Sequence, residues 1–233
     1  MPELPEVETV RRGLEPVMTG RRFARVETRR PDLRFPLPAR MAERLHGRQV
    51  THLGRRSKYL LLGLDGGETL LMHLGMSGRF IIDGHLTGAF QRDTGNAGIH
   101  DHVVFDMTAG DGDAGHRVTY NDPRRFGFMV LVAQAQFAAH PLIRDLGPEP
   151  LDNALTPHHL AARAAGRRCD LKSFLMDQRN VAGLGNIYVA EALFRARLSP
   201  NRAASCLVDA KGHPTDRAQR LVAAIRDVLT AAI

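Results

Sequence analysis

Met1-Pro2-Glu3-Leu4-Pro5-Glu6 opens the chain, and Val7, Val10, Leu14 and Val17 follow at spacings of three and four residues. That recurrence predicts an amphipathic helix with one apolar face, ending near Thr19-Gly20. Loss of Met1, common before a small second residue, would leave the secondary amine of Pro2 as the N-terminus. An α-amino group titrates near ~7.7–8.0, against ~10.4 for a lysine side chain, so a useful fraction is uncharged at neutral pH. An amine attacking a sugar carbon yields a cationic iminium, which acts as an electron sink. Glu3 and Glu6 lie beside it as candidate acids. The same six residues also fit a plain helix start, with proline and glutamate in the first turn. On these residues alone both readings stand.

Downstream the texture changes to short β-rich runs: 23–28, 49–54, 58–64, 69–74, 79–82, 102–107, 117–120 and 128–132. Turns such as Asp65-Gly66-Gly67 separate many of them, so a two-layer sandwich or barrel is expected. Residues 84–99 and 109–115 lack periodicity and are expected to be mobile loops. Strands stop near Ala133, and Leu146-Gly147-Pro148-Glu149-Pro150 reads as linker. Helices are expected over 157–165, 171–177, 187–195 and 215–232. The expected division is a sandwich domain over 1–134, a linker over 135–150 and a helical domain over 151–233. Val181-Ala182-Gly183-Leu184-Gly185-Asn186 is a glycine loop running into a helix start, where backbone N–H groups can receive a phosphate or simply turn the chain.

The 233 residues carry a net charge of +7, which suits a polyanionic partner. Residues 1–150 hold 20 Lys+Arg against 18 Asp+Glu, whereas 151–233 hold 12 against 7, so the helical part is the more basic. Of the 32 basic residues only Lys58, Lys172 and Lys211 are lysine. Arginine does not deprotonate in proteins, so a surviving lysine is a candidate for proton exchange. No apolar run reaches the ~20 residues of a membrane span, and the start lacks the layout of a signal peptide, so a cytoplasmic location is expected. Cys169 and Cys206 form no CxxC pair and are expected to be buried or incidental thiols.

His73-Leu74-Gly75-Met76-Ser77-Gly78 and Asn121-Asp122-Pro123-Arg124-Arg125-Phe126-Gly127 each place a bulky side chain in a glycine-bearing turn. Met76 and Phe126 could enter a DNA base stack while Arg124 bonds the base left behind, or they could be packed residues at strand ends. In His100-Asp101-His102 the histidines would share one face with Asp101 opposite. No third ligand is near, so a phosphate or structural contact is favoured for His100 over a metal.

Taken in order, Pro2–Thr9, Arg55-Arg56-Ser57-Lys58-Tyr59-Leu60-Leu61, the two turn segments, His100-Asp101-His102-Val103 and Gly183-Leu184-Gly185-Asn186-Ile187-Tyr188 resemble the bacterial formamidopyrimidine-DNA glycosylase family. The resemblance spans nearly the whole chain. It implies an α+β protein with an N-terminal catalytic helix on a β-sandwich, followed by an all-α helix-two-turns-helix DNA-binding domain. It implies a bifunctional glycosylase and AP lyase that removes oxidised purines from double-stranded DNA by way of a proline Schiff base with β,δ-elimination. Pro2 would be the nucleophile, Glu3 the acid that assists sugar opening, Lys58 a proton donor for elimination and Glu6 a supporting carboxylate. Met76, Arg124 and Phe126 match the family's void-filling residues. His100, Arg124 and Arg168 match its DNA contacts, and Asn186 matches the asparagine that holds backbone phosphates, with Lys172 in the same neighbourhood. A monomer is expected.

Family members also carry a lesion-contacting loop and a four-cysteine zinc hairpin, so the resemblance implies zinc. The 233 residues contain neither. A longer natural protein is expected, because Val222–Ile233 ends within an apolar helix without a capping signal. Three rivals make distinct demands. The sister endonuclease VIII type, acting on oxidised pyrimidines, is disfavoured by Leu4 and by Arg124 with Phe126. A catalytically impaired DNA-damage binder would give no covalent adduct. A proline tautomerase would place the proline on a strand and leave a basic helical domain unexplained.

Overall fold

The computed structural model describes residues 2–87, 98–110 and 115–233. The expectation of mobile loops at 84–99 and 109–115 therefore falls largely outside the described residues. Within the first stretch, His85–Leu86 forms a short strand. Two compact units emerge: Pro2 with Glu6–His140, and Glu3–Pro5 with Pro141–Ile233.

In the first unit, helix α1 (Leu4–Met18) buries Val7, Val10 and Leu14 of the predicted face, and at its end Met18 is buried while the predicted Val17 is only partly so. Two antiparallel sheets follow. One has the order β1 (Phe23–Thr28), β7 (Asp101–Met107), β8 (Arg117–Asn121), β5 (Arg79–Ile82), β6 (His85–Leu86). The other runs β2 (Val50–Arg56), β3 (Tyr59–Leu64), β4 (Glu68–His73), β9 (Phe128–Ala133). Inward residues of both sheets, among them Leu60, Leu62, Leu70, Phe80, Phe105 and Tyr120, join the α1 residues in one apolar cluster. Strands β1 and β2 each bury two residues that lie three apart, Phe23 with Val26 and Val50 with Leu53, because the register shifts after the first of each pair. Short helix α2 (Met41–Leu45) was not foreseen: it starts from a left-handed Arg40 (φ 52°) without a side-chain cap, so no start signal marks it.

The second unit is helical. Helix α3 (Pro157–Ala164) starts on Thr156, whose hydroxyl accepts the His159 N–H at 3.0 Å. Helix α4 (Leu171–Met176) starts on Asp170, which accepts the Ser173 N–H at 2.8 Å. Helices α5 (Asn186–Arg195) and α6 (Asp216–Ala232) complete a core of Leu160, Phe174, Leu193, Leu221 and Ile225. The stretch read as linker is fastened: the Gly147 N–H donates to the Gln178 carbonyl at 2.8 Å, and the Pro148 carbonyl accepts the Ala182 N–H at 3.0 Å. Gly147 is required there, since a Cβ would sit 2.7 Å from the Arg179 carbonyl. Of the two thiols expected to be buried or incidental, Cys169 is exposed in the loop between α3 and α4 and Cys206 is partly buried.

Candidate active site

Glu3 is almost fully buried, and its carboxylate is clamped to the start of α5. Oε1 accepts the Ile187 N–H at 2.9 Å and Oε2 the Tyr188 N–H at 3.3 Å. Gly185 at the helix N-cap has no side chain to satisfy these donors, so Glu3 supplies the cap from the other end of the sequence. The glycine loop is shaped to admit it. A Cβ on Gly185 would lie 2.4 Å from the Glu3 carboxyl carbon, and one on Gly183 (φ +82°) would lie 2.6 Å from Leu4. The Leu4 N–H donates to the Gly183 carbonyl at 3.1 Å, fixing the chain beside Pro2. Gln178 holds the loop from the far side, accepting the Gly183 N–H and donating to the Leu184 carbonyl, each at 2.8 Å. Glycines 183 and 185 thus turn the chain and allow close approach to a carboxylate.

Lys58 occupies the tight β2–β3 turn beside Ser57, whose φ is +55°, and is only 8% exposed. Arg55 braces that turn: Nη1 donates to the Ser57 carbonyl at 2.8 Å and Nε to Glu8 Oε2 at 3.3 Å. Burial would raise the Glu8 carboxyl, but hydrogen bonds from Arg11 and Arg12 with the charges of Arg11 and Arg55 outweigh it and hold it below its ordinary value. Glu8 therefore ties α1 to the turn carrying Lys58, a link unseen in the sequence although both residues stand in the quoted runs. Glu6 lies in the first turn of α1, half-buried. Nearby His73 is pushed down to about 4 by burial and then by the charges of Lys58 and Arg34. Its ring stacks on Phe128 at 5.2 Å.

The two turn segments meet directly. Buried Asp122 joins them: Oδ1 accepts the Ser77 hydroxyl, while Oδ2 accepts the Gly127 N–H at 2.8 Å and the Tyr120 hydroxyl at 3.3 Å. The Ser77 Oγ in turn accepts the Arg124 N–H at 3.1 Å. Met76 and Phe126 project from this junction with 43% and 42% of their surface exposed, and the Arg124 guanidinium lies 4.8 Å above the Phe126 ring. Packed strand-end residues would be buried. His100 meets the same junction through its backbone, its carbonyl accepting the Asp122 N–H at 3.0 Å.

In the helical unit Arg168 is exposed ahead of α4, Lys172 is half-buried on α4, and Asn186 is exposed as the first residue of α5. The zinc implied by the resemblance does not fit the described residues: among them no group of three or more His, Cys, Asp or Glu could hold a metal ion.

A two-sheet domain that opens on a helix and is followed in the chain by a helical domain is the architecture of a DNA glycosylase of this kind. The Formamidopyrimidine-DNA glycosylase N-terminal domain matches residues 1–129, and the corresponding H2TH domain matches 146–233. The formamidopyrimidine-DNA glycosylase of Azorhizobium caulinodans is 57% identical over all of this chain and 79% of its own length. That of Methylocella silvestris is 56% identical over the same shares. Among solved structures, the MutM (Fpg) protein of Thermus thermophilus superposes with a TM-score of 0.78 at 37% identity, over 99% of this chain and 76% of that one. Lactococcus lactis Fpg, non-covalently bound to DNA containing an AP site, superposes at 0.81 with 29% identity, over 100% and 82%. The chain belongs to the formamidopyrimidine-DNA glycosylase family.

Proposed function

We propose that this chain is a base-excision repair enzyme, a DNA glycosylase and AP lyase that removes oxidised purines such as 8-oxoguanine and formamidopyrimidines from duplex DNA. The observation that carries the reading is the carboxylate of Glu3, buried, held by two N–H donors and covalently adjacent to Pro2. The Pro2 nitrogen would attack C1′ of the flipped nucleotide as the glycosidic bond breaks and the base departs with a proton. Glu3 would assist opening of the sugar ring, and loss of the amine proton then leaves an iminium at C1′. The iminium acidifies the C2′ proton, and successive β- and δ-elimination expel the 3′ and 5′ phosphates. Lys58 is the proposed proton donor in these steps, with Glu6 as a supporting carboxylate. Met76 and Phe126 would fill the void of the flipped base and Arg124 would bond its widowed partner. His100, Arg168, Lys172 and Asn186 are proposed to hold DNA phosphates. An amine nucleophile is what couples excision to strand scission, because an activated water would stop at the abasic site.

Borohydride trapping on an 8-oxoguanine duplex tests the assignment. Protein with a free Pro2 amine should form a covalent adduct, Pro2→Gly should retain some through its primary amine, and protein verified to retain Met1 should form none. An adduct from the Met1-retaining form would overturn Pro2 as the nucleophile.

A further inference from the structure

The wedge segments are far apart in sequence and almost touch in space. A Cβ on Gly75 (φ +62°) would lie 2.3 Å from the Phe126 carbonyl carbon, and a Cβ on Gly127 would lie 1.7 Å from the Tyr120 hydroxyl. The two backbones therefore cross without a side chain between them, and the polar groups at the crossing converge on Asp122. This carboxylate is fully buried. Two of the carboxylate's contacts, to the Tyr120 hydroxyl and the Gly127 N–H, stay within β8 and the turn that follows it, and the His102 ring on β7 holds the backbone carbonyl of the same residue at 2.9 Å. The contact from Ser77 is different. It reaches across to the turn that carries Met76, and the same hydroxyl takes the Arg124 N–H. A hydrogen bond to a buried charge is among the stronger ones a protein makes.

We infer that the Ser77–Asp122 pair is a positioning device that fixes Met76 and Phe126 relative to one another, so that both enter the base stack as one rigid body. The inference rests on the reading of those two residues as the wedge. Ser77 and Asp122 need not touch DNA themselves; both act through the loops they join. The consequence is substrate-dependent. Unstacking a paired base needs the wedge, whereas an abasic site in a single strand has no base to displace.

The test compares two rates for each protein: excision of 8-oxoguanine opposite cytosine in duplex, and lyase cleavage of a single-stranded abasic oligonucleotide. In Ser77→Ala the ratio of duplex to single-strand rate should fall roughly ten- to a hundredfold, the worth of one charge-assisted hydrogen bond. Ser77→Thr, which keeps the hydroxyl, should restore most of it. Ser77→Ala leaves the Tyr120 and Gly127 contacts of Asp122 in place and so spares the turn, whereas Asp122→Ala would orphan several buried donors. An unchanged ratio in Ser77→Ala, or equal losses on both substrates, would overturn the inference. Met76→Ala and Phe126→Ala run in parallel separate the two readings. If they lower the ratio and Ser77→Ala does not, the positioning role fails and the wedge stands. If they leave the ratio unchanged, the wedge reading fails and takes the positioning role with it.

Discussion

Burial beside Lys58 and Arg34 leaves the His73 imidazole neutral down to about pH 4, free to accept the Gly75 N–H on Nδ1 at 3.0 Å. In the unfolded chain a histidine titrates near ~6.5. Between those values the unfolded state binds the extra proton, so the stability that neutral His73 confers is complete above about 6.5 and is lost as pH falls toward 4. At ~1.4 kcal/mol per unit the loss amounts to about 3 kcal/mol. His73→Gln, which keeps an acceptor for Gly75, should flatten the decline in urea-unfolding free energy across that range by a comparable amount; an unaltered decline would show that other groups cause it. Candidate residues were legible where the proposed chemistry lies in contiguous motifs: Pro2 with Glu3, Lys58 in its arginine-rich run, Met76 and Phe126 in their glycine turns. Asp122 was visible only as a letter in such a motif. Its partner Ser77 lies 45 positions away, and no local pattern encodes a contact of that kind.

Helix α5 begins without a cap of its own, and its first turn depends on Glu3. Gly185 has an extended backbone (φ −136°) that alanine could adopt, so Gly185→Ala changes one thing: a Cβ 2.4 Å from the Glu3 carboxyl carbon. Overpacking of that kind costs about 1–3 kcal/mol of stability. The larger effect should be on excision, which displacement of Glu3 should cut by ~10²–10⁴-fold, the usual range for a lost general acid. Single-turnover excision in Gly185→Ala and Glu3→Gln should therefore fall together. Excision within a few-fold of the parent in Gly185→Ala would mean that the clamp on Glu3 is structural only. Long strands were readable as β-rich runs between Gly/Asp turns, and the longer helices as the stretches 157–165, 171–177, 187–195 and 215–232. Helix α2 and strand β6, five and two residues long, are shorter than either period needs to show itself, and both are held by neighbours rather than by propensity.

Across the whole chain, charge is the property that sequence reports best, because it needs no geometry. Residues 151–233 carry 12 basic against 7 acidic side chains, and each lysine or arginine that neutralises a phosphate contributes about one unit to the slope of log affinity against log salt. Arg168→Ala and Lys172→Ala should each weaken binding to damaged duplex and lower that slope by roughly one. Asn186→Ala should weaken binding with the slope intact, since an amide displaces no counterion. A salt titration that left the Arg168→Ala slope unchanged would remove Arg168 from the phosphate contacts. The switch from strand-forming to helix-forming sequence near Ala133 was legible because two-residue and 3.6-residue periods do not mix. That Glu3–Pro5 group with Pro141–Ile233 was not, because the tie is a handful of hydrogen bonds to a glycine loop at the opposite end of the chain.

Where Gly75 and Gly127 pass one another, main chain rests on main chain, and nothing soft lies between. The proposed wedge of Met76 and Phe126 would have almost no compliance on such a mount. It would impose the same displacement on every base step it met, and only the give of the DNA would vary from step to step. Inspection of a genome would then be a measurement of local stiffness, with intact stacks springing back and loosened ones yielding long enough for chemistry to begin.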